Sequence, residues 1–426
     1  MRIHRENQPI SLPQCLRGRD MLCFSHDFSA GPLSKTHLMR RLAQNGNRVL
    51  WVNSIGYRNP TVCASDLRRA VQKLGAAIRP MEEVEANLFV LNPLVIPFHG
   101  QPLARRFNRH FLRLQVRRAM RKLNFQHPLN WVFNPAAALV AGTLDEDRVI
   151  YYCVDEYAAF RGVCAKRLAQ LEGQLLRRAD LVIVSGQRLY ESKRPFNAHT
   201  VLVRHGVDVE HFAQALDERN PLPLPADLAQ LPRPIIGYFG LIAHDWVDVP
   251  LVAHVARSFA QASIVMLGRS AMDVSALRSL PNVHLLGHKP YAALPAYCRG
   301  FDAAMIPFPI NAATLAANPL KAREYLAAGL PVVSTDIPEV RFLAACRIAA
   351  DRDDFVRQLQ AALADATPRA SRARIVQGES WESRLAEIGN HLEAIETSQA
   401  PLRLSDFFDW RSIWSAPEKV WKRKGA

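Results

Sequence analysis

The sequence predicts an α/β protein made of two Rossmann-like, doubly wound domains that face each other across a cleft. Three observations carry this. A chain of 426 residues exceeds one ordinary domain and suits two of about 200 residues each. Short apolar runs alternate with amphipathic stretches through both halves, the pattern of a parallel sheet covered by helices on both faces. Between the halves, residues 217–234 are rich in proline and polar residues, as a linker is. The expected division is a first domain 1–216, the linker 217–234, a second domain 235–397 and a C-terminal segment 398–426.

In the first half, apolar runs at 21–25 and 48–53 flank an amphipathic stretch from Pro32 to Gln44, with Gly31 in the turn at its head. A glycine there lets backbone approach a ligand. Further strands are expected at 88–91, 131–133, 148–154, 181–185 and 200–203, with a helix at 166–178. The second half repeats the alternation, with strands at 235–240, 263–268, 283–287, 301–308 and 332–335. Ligands of open parallel sheets bind beyond the carboxyl ends of the strands. The loops after Gly240, Gly268, Gly287 and Phe308 are therefore expected to line one cleft.

Residues 318–331 read as a helix fixed at both ends. Asn318 suits the N-cap and Pro319 the first turn, Gly329 can take the left-handed conformation that ends a helix, and Pro331 prevents its continuation. Glu324 follows Lys321 by three residues, which places both on one face near a helix start that favours anions. Backbone amides of the loop 309–318, which contains Thr314, and of the helix start suit a diphosphate. Lys289 and Arg269, each just past a strand end, are candidate cations at the cleft. Asp155, at the end of the strand 148–154, is a candidate binding or positioning carboxylate at the cleft, or else a cap for the next helix.

The chain carries a net charge of +15, which points to a polyanionic partner: nucleic acid, anionic membrane or phosphorylated substrate. Part of it is concentrated. Residues 86–144 hold no acid, while Arg105, Arg106, Arg109, Arg113, Arg117, Arg118, Arg121 and Lys122 crowd one helical stretch. Leu103, Phe107, Phe111 and Leu114 form one apolar stripe of it, and Leu112, Val116, Met120 and Leu123 another on nearly the opposite side. One stripe is expected to pack on the sheet and the other to enter an anionic membrane interface. The seven cysteines contain no Cys-x-x-Cys pair and read as reduced thiols, with no zinc site. No metal-ligand spacing of histidines or carboxylates occurs elsewhere, and no signal peptide or bilayer-spanning run is seen. A cytoplasmic protein, peripheral on the inner face of the plasma membrane, is expected. The aromatic tail with Phe407, Phe408, Trp410, Trp414 and Trp421 is expected to pack back on the first domain.

The segment Pro319-Leu-Lys-Ala-Arg-Glu-Tyr-Leu-Ala-Ala-Gly-Leu-Pro-Val-Val333 resembles the nucleotide-sugar site of GT-B glycosyltransferases. The likeness is to the family-four branch that builds capsular, exopolysaccharide and teichuronic-type polymers. His205-Gly-Val-Asp208, Gly237-Tyr-Phe-Gly240, Asn282-Val-His-Leu-Leu-Gly287, Phe301-Asp-Ala-Ala-Met-Ile-Pro307 and Tyr151-Tyr-Cys-Val-Asp-Glu-Tyr157 are similar to successive stretches of that family, in order.

The resemblance implies that Glu324 holds the ribose hydroxyls of a nucleoside-diphosphate sugar and that the acceptor is lipid-linked or a polysaccharide. It also implies that transfer retains anomeric configuration and needs neither metal nor a cofactor beyond the donor. Nucleic acid is not an implied partner. Two positions depart from the pattern. A glutamate frequent in the family eight residues before the ribose-binding one is Ala316 here, and the family's Arg and Lys pair after the first strand of the donor domain is replaced by Gly240-Leu-Ile-Ala-His-Asp-Trp246. The departures keep open a non-catalytic, membrane-associated sugar-nucleotide-binding scaffold; a nucleotide-sugar epimerase of the same fold and, from charge alone, a nucleic-acid binder are the other rivals.

Overall fold

Nearly every run expected as a strand is apolar along its whole length, and burial on both faces is what such runs require. The computed structural model describes residues 12–55, 81–96 and 102–397. Among them are two sheets. The first holds β1 (Asp20–Phe24), β2 (Arg48–Val52), β3 (Met81–Glu85), β4 (Leu88–Leu91), β5 (Leu129–Val132), β6 (Arg148–Cys153), β7 (Leu181–Val184) and β8 (Thr200–Leu202). Its order is β3-β4-β2-β1-β5-β6-β7-β8, and all pairs are parallel except β3 with β4.

The second sheet holds β9 (Ile235–Phe239), β10 (Ser263–Leu267), β11 (Val283–Gly287), β12 (Ala303–Ile306), β13 (Val332–Thr335) and β14 (Cys346–Ala349). Its order is β11-β10-β9-β12-β13-β14, parallel throughout. In each sheet the chain starts in the middle, winds one way, then crosses back. The switch points lie between β1 and β5 and between β9 and β12, where open α/β sheets bind ligands.

Four helices carry the side chains of functional interest or hold them in place: α1 (Ser34–Gln44), α2 (Pro102–Lys122), α3 (Leu320–Ala327) and α4 (Trp381–Thr397). The stretch 351–397, expected as two helices, is three: Arg352–Leu363, Arg369–Arg374 and α4. The second domain, expected to run through residue 397, gives α4 back to the first. Trp381, Leu385, Ile388 and Leu392 belong to the core under the first sheet, and the His37 ring of α1 stacks on Trp381 with centroids 5.3 Å apart. The aromatic tail expected to make this crossing lies outside the described residues. Residues 217–234 carry only a short helix, Ala226–Ala229, whose Leu228 is buried against Gly300.

Buried polar contacts join the domains. The Glu339 carboxylate, 2% exposed, accepts the Gln187 N–H at 2.6 Å and Arg204 Nε–H at 2.8 Å. The Asn318 amide donates to the Ser185 carbonyl at 2.6 Å. Breaking any one would strand a buried polar group, so these contacts hold the two strand-end faces in one arrangement.

Candidate donor site at the start of α3

α3 begins and ends as its residues require, with one shift. The N-cap position falls on Pro319 rather than Asn318. Asn318 is 4% exposed and its side chain is spent elsewhere: the amide goes to Ser185, and the oxygen accepts Arg323 Nη1–H at 2.7 Å. Its backbone carbonyl accepts His205 Nδ1–H at 2.9 Å. Asn318 therefore seats the helix against the first domain and offers no side chain to a ligand. At the other end Gly329 has φ +75°. Its N–H bonds the Leu326 carbonyl at 2.8 Å and the Leu330 N–H bonds the Tyr325 carbonyl at 2.9 Å, the paired bonds of a left-handed helix stop.

Lys321 and Glu324 share the face that looks into the cleft, and they do not pair. No ion pair or hydrogen bond to either charged end exists among the described residues. The Lys321 ammonium instead rests over the rings of Phe308, at 4.5 Å, and Tyr238, at 5.3 Å. Gly240, at φ +139°, makes room for it, since a Cβ there would stand 3.2 Å from Lys321 Cε. Gly268 is bound by a tighter constraint: a Cβ would lie 1.8 Å from the Gly240 carbonyl oxygen. The loops after β9 and β10 thus touch backbone to backbone, which brings both strand ends under α3.

Both groups titrate away from their ordinary values. Burial lifts the Glu324 carboxyl to about 7, a shift that the Lys321 charge opposes and Asp208 assists. Burial lowers Lys321 to about 8, opposed by Glu324. A buried carboxylate and a half-buried ammonium with no partner among the described residues are expensive, and a site meant for a ligand is where such groups persist. The Tyr291 hydroxyl, buried without a partner among the described residues, has its pKa raised by burial first and then by the charges of Glu324 and Asp208.

The other expected residues divide. Thr314 is buried, and its hydroxyl is taken by the Pro309 carbonyl at 2.5 Å and by the capping box that it forms with Asn311, so it shapes the loop 309–318. Lys289 is not a free cation. It pairs with Asp227 at 2.6 Å and lies over the Tyr297 ring, because the linker helix brings a carboxylate to it. Ala316 is buried among first-domain core residues and its carbonyl abuts Gly186, so the departure from the family glutamate lies in a packed interdomain contact.

On the facing wall, Gly31 has φ +95° and open space around it, in the turn between β1 and α1. Asp155 leaves β6 and does not cap the short helix Tyr157–Ala159, whose N-cap position is Glu156. Its carboxyl has no hydrogen-bond partner among the described residues. Burial raises its pKa, which Lys35 opposes and Glu156 assists. Sequence reasoning missed Lys35 and Tyr291; a lysine in the first turn of an amphipathic helix reads as a solvated charge.

Residues 233–365 match the family model described as glycosyl transferases group 1. Among solved structures, the sucrose-phosphate synthase of Thermosynechococcus elongatus superposes with a TM-score of 0.64 at 17% identity, over 89% of this chain and 99% of that one. Anabaena Alr3699/HepE, solved in complex with UDP, superposes with a TM-score of 0.60 at 13% identity, over 88% of this chain and all of that one. The fold is GT-B.

A curated relative, TuaH of Bacillus subtilis (strain 168), named for teichuronic acid biosynthesis as a glycosyltransferase, is 28% identical over 229 residues, 49% of this chain. The match spans 55% of that relative's length. In GT-B terms, α3 and the loops after β9, β10 and β12 form the second-domain wall of the cleft, and the exits of β1 and β6 form the first-domain wall.

Proposed function

We propose that this protein is a glycosyltransferase that moves a sugar from a nucleoside diphosphate to a lipid-linked or polysaccharide acceptor. Transfer proceeds with retention at the anomeric carbon, without a metal, at the anionic inner face of the plasma membrane. The observation that carries the reading is the half-buried Lys321 and buried Glu324, both without an ion-pair partner among the described residues, on one face of α3, inside the matched domain and at the switch point of its sheet. Two carboxylate oxygens suit a vicinal diol, and an ammonium beside a helix start suits a phosphate. The C1–O bond to the diphosphate breaks, the acceptor oxygen bonds C1 on the same face, and the acceptor proton passes to the departing phosphate oxygen. Stabilising that leaving group carries most of the catalysis.

The test uses the full chain with UDP-, GDP- and dTDP-sugars. One of them is expected to raise the melting temperature and to release nucleoside diphosphate only when a lipid-linked or polysaccharide acceptor is added. Release without acceptor would identify the epimerase, and no shift with any of them would end the donor reading.

Asp155 supplies a second prediction. As an unpaired carboxyl at the β6 exit it is proposed to orient a sugar hydroxyl. Asp155→Asn is then expected to cut turnover tenfold or more while the affinity for the bare nucleoside diphosphate stays as it was. Turnover at the wild-type rate with a lowered melting temperature would make Asp155 purely structural.

A further inference from the structure

We infer that Lys35 is the second cation of the donor site, reaching from the first turn of α1 to the diphosphate of a nucleotide held by α3. This rests on the donor reading above. The charge balance of the cleft calls for it. Lys321 is the one lysine on the α3 face, and the Glu324 carboxylate beside it cancels its charge when ionised, so α3 brings almost no net positive charge to an anionic ligand, and the wall's other candidate cation, Arg269 after β10, is exposed to water. The loop 240–246, where the sequence lacks a basic pair, offers His244 and the Asp245 carboxylate, and Asp245 is already paired with Arg161 at 3.4 Å.

The first-domain wall has what is missing. Lys35 is half-buried, yet among the described residues its ammonium has no hydrogen bond and no carboxylate within ion-pair distance. The carboxylate that acts on it most is Asp155, which is itself unpaired. Burial lowers the Lys35 pKa, the signature of a charge kept out of water without compensation. Another titratable group at the β1 exit, His26, is held neutral, with a pKa lowered to about 3 by burial and by the Lys35 charge. Lys35 is therefore the cation there.

Two features show that its surroundings suit phosphate oxygens. The first turn of α1 has no capping side chain and no acidic residue, so its amides are free to donate. Within that turn Thr36 is 1% exposed, and its buried hydroxyl has no partner among the described residues. The position is also right. The Lys35 charge reaches His205, whose ring holds the Asn318 carbonyl at 2.9 Å, directly before α3. Two residues further along α1 the His37 ring lies 5.3 Å from the Tyr291 ring, so the start of α1 meets the second domain on that side.

Calorimetry on the full chain tests this, with UDP, GDP and dTDP, the three nucleosides, and farnesyl diphosphate as a lipid source of the same diphosphate chemistry. Lys35→Met is expected to weaken the preferred nucleoside diphosphate at least tenfold, to leave its nucleoside and farnesyl diphosphate unchanged, and to flatten the salt dependence of binding. Lys35→Arg is expected to restore most of the affinity. Removing a desolvated charge should not lower the melting temperature, and Lys35→Gln serves if the methionine variant misfolds. Undiminished nucleoside diphosphate affinity in either folded variant overturns the inference alone, as does a loss confined to farnesyl diphosphate or shared by the nucleoside. A wild-type chain that binds none of the nucleotides takes the donor reading down with it.

Discussion

Glu324→Gln is expected to weaken nucleoside diphosphate and nucleoside binding by roughly ten- to a hundredfold while making the folded protein more stable at pH 8. The first effect follows from the loss of two charge-assisted hydrogen bonds to a ribose diol, roughly 1.5–3 kcal/mol in all. The second follows from the cost of ionising a carboxyl in that place. Its pKa stands at about 7 against an ordinary 4.5, so the folded state holds the proton that the unfolded state releases. The stabilising contribution of the neutral acid is complete below pH 4.5 and is lost as pH rises through 7.

At pH 8 the wild type therefore carries a penalty of up to about 3 kcal/mol that glutamine, a neutral isostere, does not. Melting curves at pH 5 and pH 8 check it: the two proteins should melt together at pH 5, and the variant should melt higher at pH 8. Nucleoside affinity of the wild type should rise between pH 6 and 8 as the carboxylate forms, and that of the variant should stay flat. Equal melting at both pH values with undiminished affinity would leave Glu324 as an ordinary helix residue.

The combination of weaker binding and higher stability is diagnostic of a site group, because a group kept for the fold loses stability when it is removed. The same logic separates what was legible in the sequence from what was not. The parallel strands were legible because burial on two faces demands uninterrupted apolar runs, and 283–287 and 332–335 coincide with β11 and β13 to the residue. β3 escaped because Met81-Glu-Glu-Val-Glu85 pairs on one side only, antiparallel at the sheet edge, where charged side chains stay in water. β14 escaped because Arg347 interrupts a four-residue edge strand.

Lys321 and Glu324 could be placed on one face by helical spacing alone. Asn318 could not be assigned correctly, because its partner Ser185 lies 133 residues away, and long-range pairing outweighs a local capping preference. Lys289 failed for the same reason, through Asp227 in the linker. Lys35 is the opposite case: a residue local rules treat as a solvated charge is placed at the cleft by the meeting of two domains.

The remaining large effect concerns the basic helix α2, where both stripes could be read from the sequence and only packing decides between them. Leu112 and Val116 are fully buried and Met120 is 7% exposed, so this stripe covers the sheet. On the other stripe Leu103 is 83% exposed, Phe107 51% and Leu114 57%, with Leu94 beside it through the hydrogen bonds of Gln115 to its backbone. Arg106, Arg109 and Arg118 are exposed around it, and no acid lies on the helix. Among the described residues no helix is long and apolar enough to cross a membrane. An exposed apolar stripe rimmed by arginines suits the surface of an anionic bilayer.

α2 comes after β4, so its first turns, which hold Leu103 and Phe107, lie toward the carboxyl ends of the strands. A lipid-linked acceptor in that surface would then be close to the cleft. Each basic residue near an anionic leaflet contributes about 1 kcal/mol, and each large apolar side chain that leaves water about 1.5–3 kcal/mol at most. The expected result is co-sedimentation with phosphatidylglycerol vesicles at low salt, far less with phosphatidylcholine vesicles, and release as salt shortens the screening length. Changing Leu103 and Phe107 to serine together with Arg106 and Arg109 to glutamine should reduce vesicle binding at least a hundredfold while donor affinity is untouched, because none of the four lies at the α3 face. Equal sedimentation with both vesicle types, or a quadruple variant that sediments like the wild type, would show that this stripe faces something other than an anionic membrane.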